Sequence, residues 1–217
     1  LREITFRAAG EGTGQRLDLD AYDSGYDHIV LWDPEALEIA GAYRVAPGER
    51  GLAEHGLEGF YTASLFRYPC HMLERLAQGM ELGRSFVAPA YQGTRSLDYL
   101  WLGIGAYLRA RQGVGYVDGP VSIGADLPSA ARELLVAYYD RFFGCRRDGV
   151  AANRPFRFLA APPAFSELDA DTAYRVLKAN LGALGARVPT LYKQYTELCE
   201  PGGARFLAFG VDPDFSN

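Results

Sequence analysis

The sequence predicts an α/β fold built on a mixed central sheet with helices on its faces, and three observations carry that expectation. From residue 80 onward the chain reads strand, helix, strand, helix, an order that sets two parallel strands in one sheet with a crossover between them. Residues 28–32 and 37–45 read as two strands joined at Asp33-Pro34, which makes an antiparallel hairpin of ordinary spacing. The third observation is one of scale. A chain of 217 residues, 48% apolar and 23% charged, has the globular average composition and length enough for one well-filled domain spanning 1–217.

Composition also excludes several classes. No uncharged run exceeds ten residues, whereas a membrane-spanning helix needs about 20 apolar ones. With 22 basic and 27 acidic residues the formal charge is -5, so non-specific attraction to nucleic acid is not expected. Cys70, Cys145 and Cys199 are too far apart for a zinc or redox motif and read as core thiols of a cytoplasmic protein. His28, His55 and His71 are scattered without metal-ligand spacing, so no metal is expected.

Taken in order, residues 10–25 form a polar, glycine-punctuated loop carrying Asp18, Asp20 and Asp23. After the hairpin, residues 48–59 read as a loop, 60–66 as a short strand, 70–78 as a short helix ended by Gly79, and 80–87 as a strand. Residues 96–111 place Leu97, Leu100, Trp101, Ile104 and Leu108 on one stripe of an amphipathic helix. A strand over 116–123 follows, then a helix over 129–143 on which Leu134, Leu135, Tyr138, Tyr139 and Phe142 repeat helically. Residues 169–183 and 189–198 read as helices and 205–211 as a last strand.

The chemistry concentrates between residues 80 and 96. A strand, a short glycine-bearing loop and a helix start make an anion site, because unpaired amides and the helix dipole converge there. Glu81 and Arg84 would lie on opposite faces of a regular strand, and Gly83 between them allows a β-bulge that turns both to one face. The alternative is an exposed ion pair on an edge strand. Pro120 donates no ladder hydrogen bond, so the strand over 116–123 is either an edge or diverges from its neighbour and leaves backbone open to a ligand. Arg44, in an otherwise apolar strand, lies at a wet strand end or points into a site.

Residues 81–87 (ELGRSFV), 100–104 (LWLGI) and 119–123 (GPVSI) resemble the ornithine acyl-ACP N-acyltransferases, also labelled hemolysins, of the GNAT superfamily. The likeness extends to 18–23 (DLDAYD), 27–31, 41–44 (GAYR), 188–195 and 211–215, and so covers nearly the whole chain. The fold and the Glu-x-x-Arg pair are also similar to those of acyl-homoserine-lactone synthases. This resemblance implies a GNAT-like sheet whose parallel strands 80–87 and 116–123 splay apart around the phosphopantetheine arm of an acyl donor. It places residues 1–6 in the first helix, so that the opening strand of a full GNAT domain is missing. It implies a fatty acyl transfer to the amine of an amino acid such as ornithine, in lipid biosynthesis, in the cytoplasm or at the inner face of the membrane. Glu81 and Arg84 would be catalytic. Ser85, Phe86, Val87, Gln92, Gly93, Arg95 and Ser122 would bind the donor, and Asp20, Asp23, His28 and Arg44 the acceptor. No cofactor would be tightly bound. Because residues 92–96 (QGTRS) match the pyrophosphate loop of coenzyme A enzymes poorly, an acyl carrier protein is favoured over acyl-CoA as donor. The alternative is a non-catalytic acyl-binding or membrane-active protein. That needs a basic amphipathic helix, and 96–111 carries only Asp98, Arg109 and Arg111 in charge.

Overall fold

The computed structural model describes residues 1–111, 113–165 and 167–213, so the end of the 211–215 likeness lies outside the described residues. In chain order the elements are α1 (Arg2–Ala8), β1 (Asp27–Asp33), β2 (Glu38–Pro47), α2 (Gly48–His55), α3 (Tyr61–Leu65), β3 (Phe66–Arg67), α4 (Leu73–Ala77), β4 (Gly79–Val87), α5 (Ser96–Ala110), β5 (Tyr116–Asp118), α6 (Ser129–Phe143), β6 (Ala151–Ala152), α7 (Ala170–Ala183) and α8 (Thr190–Glu197). The chain forms two compact units, one made of residues 1–64 and 70–120 and the other of 65–69 and 121–213.

The first unit holds a four-stranded sheet in the order β1-β2-β4-β5. β1 and β2 form the expected antiparallel hairpin, β2 pairs antiparallel with β4, and β4 pairs parallel with β5. The stripe on α5 covers one face. Leu100 and Ile104 are buried against Tyr43, Val45, Met80 and Leu82, with Leu97, Trp101 and Leu108 at the margin of the same cluster. Each such side chain contributes about 1.5–3 kcal/mol by leaving water. Met80 and Leu82 face α5, so Glu81 between them must face the other side of the sheet.

Four expectations need correction. Residues 48–59 are not a loop: they form α2 and a turn of 3₁₀ helix over Gly56–Gly59. The glycines there answer close packing, since a Cβ on Gly51 would lie 2.8 Å from the Phe60 ring. Residues 60–66 are mainly the helix α3, not a strand. β5 ends at Asp118 instead of running to 123, because Gly119 turns the chain at φ 154 and Pro120 cannot donate. Val121 and Ile123 pack instead into the core of the second unit. Lastly, 205–211 forms isolated bridges at Phe206 and Gly210 in place of a ladder, since its partner changes from Gly144 to Pro155 midway. The cysteines also divide: Cys145 is buried, whereas Cys70 and Cys199 are exposed.

In the second unit the apolar stripe of α6 meets α7 and α8, with Leu135, Tyr139, Leu177, Leu181 and Tyr192 in the core. Asp169 caps α7 by accepting from the Thr172 amide at 2.9 Å. β3 and β6 form a separate two-stranded ribbon. Among the described residues no helix is long and apolar enough to cross a membrane.

Candidate active site

β4 carries the expected bulge. Ala42 pairs with Phe86 and Arg44 with Gly83, so two steps on β2 match three on β4. The strained residue is Arg84 itself, at φ 48, not Gly83. The extra residue turns Glu81 and Arg84 toward one face, where Tyr61 meets both: its amide donates to Glu81 at 3.1 Å and the Arg84 guanidinium lies 5.4 Å from its ring centre. Both are buried on an interior strand, which removes the exposed edge pair from consideration.

Arg84 belongs to a knot of opposite charges. Its Nη1 donates to Asp18 at 3.0 Å and its Nη2 lies 3.1 Å from Asp20. Arg44 Nη1 reaches Asp20 at 2.5 Å and Asp23 at 3.1 Å. Arg2 of α1 closes the set by donating to Asp18 at 3.0 Å and to Asp23 at 2.7 Å and 2.8 Å. Three arginines thus balance three aspartates. Burial alone would raise the Asp23 carboxyl, but bonds from Arg2 and the Asp20 amide, with the charges of Arg2 and Arg44, hold it well below the usual carboxylate range. The acidic loop is therefore folded in and compensated, not solvated.

Arg44 is 1% exposed and lies over the Tyr26 ring at 4.7 Å, with Tyr22 and Tyr61 at 5.7 and 5.9 Å. It sits at neither a wet strand end nor an open wall. His28 is exposed on β1, with Nε2 3.1 Å from the Asp23 carbonyl. The structure so brings Asp20, Asp23, Arg44 and Arg84 together and sets His28 beside them.

Glu81 is held differently. Its carboxylate accepts from the Tyr26 hydroxyl at 2.6 Å, from the Tyr61 and Thr62 amides at 3.1 Å each, and from the Thr62 hydroxyl. Those amides begin α3, so Glu81 satisfies the free N–H groups of that helix. Burial pushes the Glu81 carboxyl up, and the bonds from Thr62 and Tyr26 oppose the shift. Next to it on β5, in register, stands Asp118. Its Oδ1 is closed off from solvent with no hydrogen-bond partner among the described residues.

The parallel ladder comprises only Gly79–Tyr116, Met80–Val117 and Glu81–Asp118. Beyond Glu81 the strand β4 keeps its β2 partner and has no ladder partner on the β5 side among the described residues of this unit. Ser85, Phe86 and Val87 are half-buried along that stretch. Past its end Gln92 donates to the Val87 carbonyl at 3.2 Å, and Gly93 turns at φ 74. The amide of Ser96 at the start of α5 is taken by Thr94 Oγ1 at 3.2 Å, and exposed Arg95 lies 3.5 Å from Asp98. Ser122 lies in the second unit, in a half-buried segment without ladder pairing.

Sequence reasoning missed Arg2, Tyr26, Tyr61, Thr62 and Asp118. A signal existed for Asp118, a carboxylate just ahead of the Gly-Pro pair that stops its strand.

A mixed sheet that passes through a bulged strand into a short, opening parallel pair defines a GNAT-type fold. Residues 1–102 match the acetyltransferase (GNAT) domain family. The chain is similar to a glycine N(alpha)-acyltransferase of Phocaeicola vulgatus, 33% identical over 214 residues covering 91% of this chain and 66% of that protein. A glycine N(alpha)-acyltransferase of Bacteroides thetaiotaomicron is likewise 33% identical, over 91% of this chain and 64% of its own length. An L-ornithine N(alpha)-acyltransferase of Brucella abortus is 33% identical over 59% of this chain and 50% of that protein. The chain thus spans just under two thirds of the glycine relatives and half of the ornithine one. No solved structure matches it significantly.

Proposed function

We propose that the chain is an N-acyltransferase that moves a fatty acyl group from the thioester of an acyl carrier protein to the α-amine of an amino acid, ornithine or glycine, as a step of lipid biosynthesis at the cytoplasmic face of the membrane. The observation that carries the reading is β4: paired with β5 only as far as Glu81, bulged at Arg84, and open beyond, in a chain whose relatives bear acyltransferase names. The free backbone edge after the bulge offers amides and carbonyls to a phosphopantetheine arm, with Ser85, Phe86 and Val87 along its course. Gln92, Gly93 and Arg95 would meet the single phosphate. The Ser96 amide is already bonded to Thr94, so the loop has one helix-start amide fewer for a pyrophosphate, which favours the carrier protein over coenzyme A.

In this mechanism the ammonium loses a proton, the amine attacks the thioester carbonyl, a backbone amide near the bulge steadies the oxyanion, and the thiolate leaves and is reprotonated. Glu81 lies on the face toward which the ammonium is drawn, its carboxyl held by Tyr26, Tyr61 and Thr62. Arg84, locked by Asp18 and Asp20, holds the bulge. Asp20, Asp23 and Arg44 form the buried floor under the acceptor, with His28 at its rim. The membrane-active alternative loses its element, because the apolar stripe of α5 is spent in the core.

Thiol release measured with acyl carrier protein and coenzyme A thioesters, against glycine, ornithine and other amino acids, tests the reading. Amide formation faster from the carrier protein is expected. Release without amide, or none with any amine, overturns it.

A further inference from the structure

Asp118 is a half-buried acid, with Oδ1 closed off from solvent, and has no assigned work. Three features describe its surroundings. Glu81 stands opposite it in register, so the two carboxyls share one face at the point where β4 and β5 part. A Cβ on Gly79 would lie 2.8 Å from Asp118 Oδ2, 3.1 Å from the Leu76 carbonyl oxygen and 3.3 Å from that of Arg75, so the carboxyl leans into the space left by a missing side chain, close to the oxygens that end α4. Oδ1 has no partner among the described residues. Among the charged side chains of the surrounding elements, Arg75 of α4 lies over the Tyr116 ring at 5.5 Å, while Glu49 and Arg111 line the cavity that Gly79 shares with Pro47 and Gly48. The Glu81 charge bears on that of Asp118.

The two carboxyls differ in what they can do with a proton. Glu81 accepts four hydrogen bonds, which occupy its lone pairs and leave no free position for an incoming proton. Asp118 has an oxygen without a partner among the described residues and a second carboxyl opposite it, which suits a group that gains and loses a proton. Burial first, and the Glu81 charge second, push its carboxyl up to about 7, where a general base is most effective.

Building on the acyltransferase reading, we propose that Asp118, not Glu81, accepts the proton of the acceptor ammonium. The N–H bond of the ammonium breaks as the Asp118 O–H bond forms, and the freed amine then attacks the thioester carbon. The second amine proton goes to the leaving thiolate as the C–S bond breaks. Asp118, itself only half-buried, returns its proton to water, so each turnover releases one proton to solvent.

The test is the pH dependence of kcat/KM for the parent and D118N, together with carbon-13 carboxyl titration of the parent labelled at aspartate. In the parent, kcat/KM should rise with pH through about 7. D118N should be slower by about 100-fold or more at pH 8 and lack that rise. The parent should show one aspartate carboxyl titrating far above its usual range, absent from D118N. A D118N rate within about threefold of the parent with the same pH rise, or no such aspartate in the parent spectrum, overturns the assignment and leaves the acyltransferase reading standing. A parent that makes no amide from any donor overturns both.

Discussion

Glu81 holds the start of α3 with four accepted hydrogen bonds, so its replacement acts on stability first. E81Q puts an amide N–H₂ where a carboxylate oxygen accepted from donors, at a cost of about 1–3 kcal/mol for the mismatched group. In a chain of this size each kcal/mol corresponds to about 2–4 °C, so a melting temperature several degrees lower is expected by calorimetry. Asp23 makes a second residue-level expectation. Its carboxyl titrates below its unfolded value, so the stability it adds is complete above pH about 4 and is lost as the pH falls below that. Melting between pH 6 and 3 should therefore fall more steeply in the parent than in D23N. At this scale the sequence was partly legible. The parity of Glu81 and Arg84 announced a bulge, but which residue takes the left-handed turn depends on Arg84 having Asp18 and Asp20 to hold it. Those partners are about 65 residues away in sequence, beyond any local signal.

Elements whose pattern is periodic and local were readable: the hairpin, β4, and helices α5, α6 and α7. Those set by tertiary contacts were not. α3 reads as a strand because Phe60 to Phe66 is aromatic and β-branched in part, yet the Glu81 carboxylate satisfies its first amides and makes a helix of it. α2 reads as a loop because of its glycines, which are there for space. That difference gives opposite expectations for two helical glycines. Helix propensity favours alanine over glycine by about 0.5–1 kcal/mol, and G105A on α5, where a Cβ meets nothing, should raise the melting temperature accordingly. G48A should lower it, since a Cβ there would run into the Leu76 carbonyl of α4, a backbone atom that cannot step aside. Thermal melts of both variants against the parent decide it.

At the scale of the molecule there are two apolar cores, one under α5 and one among α6, α7 and α8. The sequence shows the helices that line each but not the division, because residues 65–69, set within the first unit's stretch of chain, belong to the second. A cavity can be opened in either: I104A in the first and L177A in the second should each cost about 2–5 kcal/mol, read from denaturant midpoints. The order of the sheet has a further consequence. A strand with one side unpaired is a template on which a second chain can extend the sheet and begin a fibril. β4 past Glu81 has such a side within its own unit, but the extra residue at Arg84 throws it out of step with any straight partner and twists it away. The Gly119-Pro120 stop keeps β5 too short to recruit a neighbour. The irregularities that cut the parallel ladder short therefore also guard this sheet against aggregation.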